Sequence, residues 1–131
     1  FTRWFIGKAE YISGGRKRSS GEYLQPGDTF QWKWLAKDFE KLGEIISTEK
    51  NSMLCFSFGK LHEVKITVNE HEGRTHLRLE QYYKHGAEPD DFVHINCAVC
   101  WVFFITNLKS VIEHGVDLRE TRSDDEELVN R

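Results

Sequence analysis

From Thr29 to Tyr83 apolar residues return at every second position in run after run, and from Asp90 to His114 they return at helical spacing. The first pattern belongs to half-buried strands and the second to an amphipathic helix. Successive strands joined by short turns form an antiparallel sheet whose apolar face cannot bury itself. The one long helix must therefore cover it. This order of elements predicts an α+β chain in which a curved antiparallel sheet wraps around a long C-terminal helix.

Individual runs sharpen the picture. Pro26-Gly27-Asp28 punctuates the start of a strand in which Phe30, Trp32 and Trp34 alternate with Thr29, Gln31 and Lys33, so the three aromatics share a face. Lys41 to Thr48 is a second run, with Leu42, Ile45 and Ile46, and the Glu49 to Ser52 cluster turns it into Met53 to Phe58. There Leu54, Phe56 and Phe58 alternate with Cys55 and Ser57. Val64, Ile66 and Val68 then alternate with polar partners, and Glu72-Gly73 reverses the chain into His76 to Tyr83, where Leu77 and Leu79 supply the facing side. Upstream, Trp4 to Ile6 reads as the end of a short helix closed by Gly7, Lys8 to Ile12 as extended, and Ser13 to Gly27 as a long surface loop.

The helix has its stops written into it. Pro89 and two aspartates stand at its start, where the dipole favours negative charge, and Gly115 stands at its end. At about 100° per residue, His94, Cys97, Ala98, Trp101, Phe104, Ile105, Leu108 and Ile112 fall on one face, the face expected to meet the strands. The opposite side carries Asn96, Thr106 and Ser110 but also Val99 and Phe103, an apolar pair that suits a homodimer contact or another protein partner.

Composition sets outer limits. A chain of 131 residues with 39% hydrophobic and 13% aromatic content is of one-domain size and has the material for a core. Three cysteines are too few for a disulfide framework, and no signal peptide precedes them, which points to a reducing, cytoplasmic setting. The longest apolar run, Cys97 to Ile105, is about half of the ~20 residues that cross a bilayer, so it reads as buried helix without a membrane span. A net charge of −3 speaks against nucleic acid as a partner. Beyond Arg119 the acidic stretch to Arg131 shows no periodicity, so residues 1–120 are read as the domain and 121–131 as a tail. The chain opens on Phe1 in an aromatic segment with neither cap nor strand before it, and further N-terminal residues are expected.

Trp4-Phe5, then Pro26-Gly27-Asp28-Thr29-Phe30, then the stretch from Trp101 to Arg119 (WVFFITNLKSVIEHGVDLR) together resemble the START-like, or SRPBCC, superfamily. Within it the chain is most similar to the branch named for activators of the ninety-kilodalton heat-shock ATPase. The resemblance covers nearly the whole chain; its most telling parts are Asn107-Leu108-Lys109-Ser110 after the tryptophan and Asp117-Leu118-Arg119 beyond the helix. It implies a helix-grip fold whose first strand and most of whose first helix precede Phe1. Cys100 departs from the pattern, standing where relatives tend to carry a glycine. The resemblance also implies a cavity between sheet and helix that holds a hydrophobic or amphipathic small molecule. Trp32, Trp34, Phe56, Phe58, Ile66, Leu77, His94, Cys97 and Trp101 are the candidate ligand-binding residues.

Chemistry-bearing motifs are sparse. Cys97-x-x-Cys100 sits mid-helix rather than at a helix start, so it reads as a pair of buried free thiols, not a redox or zinc motif. His94 presents an imidazole on the inner face with no carboxylate at helical spacing, which reads as a core histidine. Arg16-Lys17-Arg18 reads as a solvated loop, with recognition of an anionic head group as its functional alternative. No phosphate loop, nucleophile elbow or carboxylate pair is present. The expectation is a binding domain without catalysis, cofactor or metal; the alternatives on the same fold are a co-chaperone-like interaction module and a cyclase- or hydrolase-like enzyme.

Overall fold

The structure, a computed structural model, describes residues 1–35 and 38–121. The acidic stretch beyond Thr121 lies outside the described residues. Seven strands and one helix follow in order: β1 (Lys8–Ser13), β2 (Arg16–Lys17), β3 (Thr29–Lys33), β4 (Glu40–Glu49), β5 (Met53–Phe58), β6 (His62–His71), β7 (Arg74–Tyr83) and α1 (Asp91–His114). The strands form one antiparallel sheet in the order β2-β1-β3-β4-β5-β6-β7, and with the single long helix they place the chain in the α+β helix-grip class. Contacts group the chain into two compact units. One comprises Phe1–Ala9, Trp32–Lys41 and the stretch from Asp90 onward; the other comprises Glu10–Gln31 and Leu42–Pro89.

In the second unit the period-two pattern becomes register. Leu54 pairs with Ile66 and Ile66 with Leu79; in the next row Ile45 pairs with Phe56 and Phe56 with Val64. Ile45, Phe56 and Val64 are fully buried, as alternation requires. A bulge between Ile45 and Ser47 leaves Ile46 unpaired and 38% exposed. Leu42, expected in the core, is instead 71% exposed, because Gly43 and Ile45 take the inward parity. Gly43 is required there by space. A Cβ on it would lie 2.2 Å from Cζ of Phe30, whose buried ring covers the strand. The β6–β7 hairpin turns through Glu72 (φ 52) and Gly73 (φ 72), the pair of positive angles a two-residue hairpin loop demands.

The segment Ser13 to Gly27 is a mostly exposed loop, as expected, with one short strand in it. β2 pairs back on β1 through Ile12 and Ser13, and the basic triplet is consumed by acids: Arg16 by Glu22, Lys17 by Glu10 and Arg18 by Asp28. Sequence alone could not show these partners, since Asp28 lies ten residues from Arg18 and is 2% exposed.

In the first unit, the N-terminal segment is one helical turn rather than a helix end, closed by Phe5 N–H donating to the Phe1 carbonyl at 2.9 Å. α1 begins at the predicted cap, with Asp90 Oδ1 accepting from Val93 N–H at 3.0 Å. It ends at Gly115, whose left-handed conformation (φ 72) lets its N–H reach the Val111 carbonyl. The buried stripe is turned by roughly 60° from the predicted one, at 100° per residue. Its centre is Trp101, Phe104 and Asn107, whereas Ala98 is exposed and Ile112 is 70% exposed. The reason is polar: Asn107 has backbone partners that no hydropathy pattern registers.

Those partners form a clamp. Asn107 Nδ2 donates to the Trp4 carbonyl at 2.8 Å and to Asp117 Oδ1 at 3.0 Å, while its Oδ1 accepts from Leu118 N–H at 2.7 Å. Arg119, with a side chain 4% exposed, donates to the Ile6 carbonyl at 2.9 Å, the Thr2 carbonyl at 3.2 Å and the Asp117 carboxylate. The hydrogen bonds from Arg119 hold the Asp117 carboxyl at about 2. The Asn-Leu-Lys-Ser and Asp-Leu-Arg stretches thus tie the N-terminal turn and the segment after α1 to the helix.

Candidate functional site

The nine candidate residues divide between the units. Trp32, Trp34, His94, Cys97 and Trp101 belong to the first, and Phe56, Phe58, Ile66 and Leu77 to the second. In the first unit a residue absent from the candidate set takes the centre. Phe5 lies with its ring 4.9 Å from Trp101, 4.8 Å from Phe104, 5.5 Å from Trp34 and 5.6 Å from Trp32, mostly edge to face. Its signal was the Trp4-Phe5-Ile6 run itself, too apolar for an exposed turn. Cys97 and Cys100 are half-buried free thiols, and Lys41 of β4 lies close enough to feel them. Burial lowers the Lys41 ammonium below its usual value, with the two thiols opposing that shift. His94 is half-buried.

In the second unit Phe56, Phe58 and Ile66 are buried, and Leu77, opposite Val68 on β7, is 36% exposed. Phe56 meets Phe30 at 6.1 Å and Phe58 at 6.4 Å. Cys55, on the other face of β5, is 7% exposed, and burial raises its thiol pKa.

A cleft opens at the turn end of the β4–β5 hairpin, with a volume of about 380 Å³, in the range of small-molecule sites. Tyr23, Leu24 and Gln25 form one wall; Thr48, Glu49, Lys50, Asn51, Met53 and Leu54 form the other side and floor. Thr48 and Leu54 are a cross-strand pair on the face that carries Phe56 one row further in. The sequence reading placed these residues in separate elements, a surface loop and a strand-turn-strand run, and named only its strands' apolar faces as ligand-facing, because the cleft joins a loop to a hairpin more than twenty residues away.

Two backbone bonds and one hydroxyl bond join the two sides of the cleft. Gly27 N–H donates to the Ile45 carbonyl and Ile45 N–H to the Asp28 carbonyl, both at 2.8 Å, while Thr48 Oγ1 donates to the Leu24 carbonyl at 3.3 Å. Asp28 closes the loop on itself by accepting from Gln25 N–H at 2.8 Å and from Arg18 Nη2 at 2.9 Å. The Arg18 hydrogen bonds depress the Asp28 pKa below the ordinary aspartate range, against the opposing effect of burial. At the mouth, Lys50 Nζ stands 4.8 Å from the centre of the Tyr23 ring, a cation–π contact.

The outer side of α1 is more apolar than the sequence reading expected. Phe92, Ile95, Val99 and Val102 are 80, 63, 52 and 70% exposed, whereas Phe103 is half-buried with its ring 5.2 Å from Phe104. Its most apolar window has a mean hydropathy of 1.6, enough by length and composition to cross a bilayer, and 17% of that window is buried. Among the described residues no three or more His, Cys, Asp or Glu side chains are grouped to hold a metal ion.

The architecture and the cleft define a helix-grip domain of the α+β class. The crystal structure of the protein SSP2350 from Staphylococcus saprophyticus, a structural-genomics target, shares this fold with a TM-score of 0.65. The two chains are 23% identical over 90% of this chain and 77% of that one, a likeness of fold alone. No family model matches the chain, and no curated protein matches it.

Proposed function

We propose that this chain is a START-like binding domain that takes up a small amphipathic molecule in the cleft at the β4–β5 turn, without catalysing a reaction. The observation that carries the reading is the cleft's composition. Leu24, Met53, Leu54 and the Tyr23 ring offer an apolar bed, and Gln25, Lys50 and Asn51 share the lining with it. An apolar bed with a few polar groups that fix orientation is the usual build of a ligand site. The START-like reading, and within it the branch of heat-shock ATPase activators, rests on the residues quoted from Trp4 to Arg119. The likeness to SSP2350 supports the fold on which that reading depends.

The test is titration of a fluorescent apolar probe and native mass spectrometry on protein purified without detergent. Saturable binding of about one probe per chain is expected. Gln25→Trp, at an exposed wall position, should fill the cleft and weaken binding at least tenfold with the fold retained. Probe binding unchanged in that variant, or no saturable binding to the native chain, overturns the reading.

A further inference from the structure

The basic residues near the cleft differ in what they do. Arg16, Lys17 and Arg18 each face a carboxylate, and so do Lys33, Arg78, Lys109 and Arg119 elsewhere in the chain. Lys50 has no carboxylate partner among the described residues, and its Nζ stands over the Tyr23 ring. A cation held over an aromatic face keeps its donor N–H groups available and its direction fixed, which an exposed lysine otherwise lacks. The Tyr23 hydroxyl and the Gln25 and Asn51 amides stand beside Lys50 in the lining, each able to donate or accept. The one acid in the lining, Glu49, accepts from Ser52 Oγ at 3.2 Å and is tied to its own turn. Lys50, the one cation in the lining, can only donate, so a negatively charged acceptor above the apolar bed suits it, and the hydroxyl and amides can turn their donors to the same group.

We propose that the cleft selects molecules with an anionic head, a carboxylate on a short apolar body, and that Lys50 is the residue that reads the charge. This rests on the binding reading above and specifies its ligand class. The carboxylate would meet the Lys50 ammonium at the mouth, with Tyr23 and Gln25 donating beside it, while the chain lies on Leu24, Met53 and Leu54. Contact with a charged partner is stronger than a neutral hydrogen bond and is screened by salt where it is exposed.

Three probes of equal chain length separate the charges: decanoate, decan-1-ol and decylamine, each kept below its aggregation concentration and measured by calorimetry and by chemical-shift changes at residues 23–25 and 48–54. Decanoate is expected to bind about five- to tenfold more tightly than decanol, with decylamine weakest. Lys50→Met should remove the preference, bringing the decanoate affinity down to that of decanol for the same variant. Raising salt, or lowering pH through the ligand's own carboxyl pKa, should remove the same difference. Equal binding of decanoate and decanol, tighter binding of decylamine, or an unaltered decanoate affinity in Lys50→Met overturns the anionic class while the cleft remains a binding site. Failure of all three probes overturns the binding reading itself.

Discussion

Replacing Asn107 by leucine isolates the clamp that holds the first unit. The side chain is fully buried, and leucine has nearly its shape, so the change removes hydrogen bonds with little change of volume. It strands the Trp4 carbonyl, held at 2.8 Å inside the protein, and the partly buried Leu118 N–H, held at 2.7 Å. A buried polar group left without its partner costs about 1–3 kcal/mol. The Leu118 N–H can regain water and the leucine adds apolar burial, so the net loss is expected at roughly 2–3 kcal/mol. With a urea dependence of about 1.5 kcal/mol/M, typical of a chain this size, the unfolding midpoint should fall by roughly 1.3–2 M. Tryptophan fluorescence is the appropriate probe, because Trp4, Trp32, Trp34 and Trp101 all lie in the same unit as Asn107. Asn107→Asp offers a second view: it keeps an acceptor for Leu118 N–H but loses both donors and sets a carboxylate beside Asp117, so it should destabilise and raise the Asp117 pKa. A midpoint shift below about 0.3 M for Asn107→Leu would refute the clamp.

Trp101→Ala should cost about 3–5 kcal/mol, since the indole is 6% exposed and packed 4.9 Å from Phe5; a loss below about 1 kcal/mol would show that the ring is not core. Gly43→Ala is expected to destabilise by about 1–3 kcal/mol, because the new methyl meets a Phe30 ring that is itself buried, and an unchanged midpoint would count against that packing. Asp28 and Asp117 both have folded pKa values below their ordinary one, Asp117 at about 2, so their stabilising effect is complete above pH ~4 and is lost as pH falls toward 2. Urea midpoints measured from pH 6 to pH 2.5 should decline across that window, less steeply in Asp117→Asn, and a flat profile in the native chain would contradict the assignment.

Local patterns carried much of the architecture into the sequence. Alternation at Phe30 and Trp32, and at Phe56, Phe58, Val64 and Ile66, set which side chains are buried, because adjacent strand residues point to opposite faces whatever lies beyond them. Asp90 and Gly115 set the ends of α1 because capping is satisfied within a few residues. Contacts between distant residues were decided only in three dimensions. The rotation of α1 follows from Asn107 finding the Trp4 carbonyl 103 positions away, the place of Phe5 among four rings follows from that clamp, and the pairing of the basic triplet follows from Glu22, Glu10 and Asp28. The cleft is of the same kind: Leu24 and Thr48 are joined by one hydrogen bond across 24 positions, and Lys50 is set over the ring of Tyr23, a residue of another loop. Hydropathy records whether a side chain avoids water; it does not record which carbonyl or carboxylate a polar side chain will meet, and in this protein those meetings shape the site.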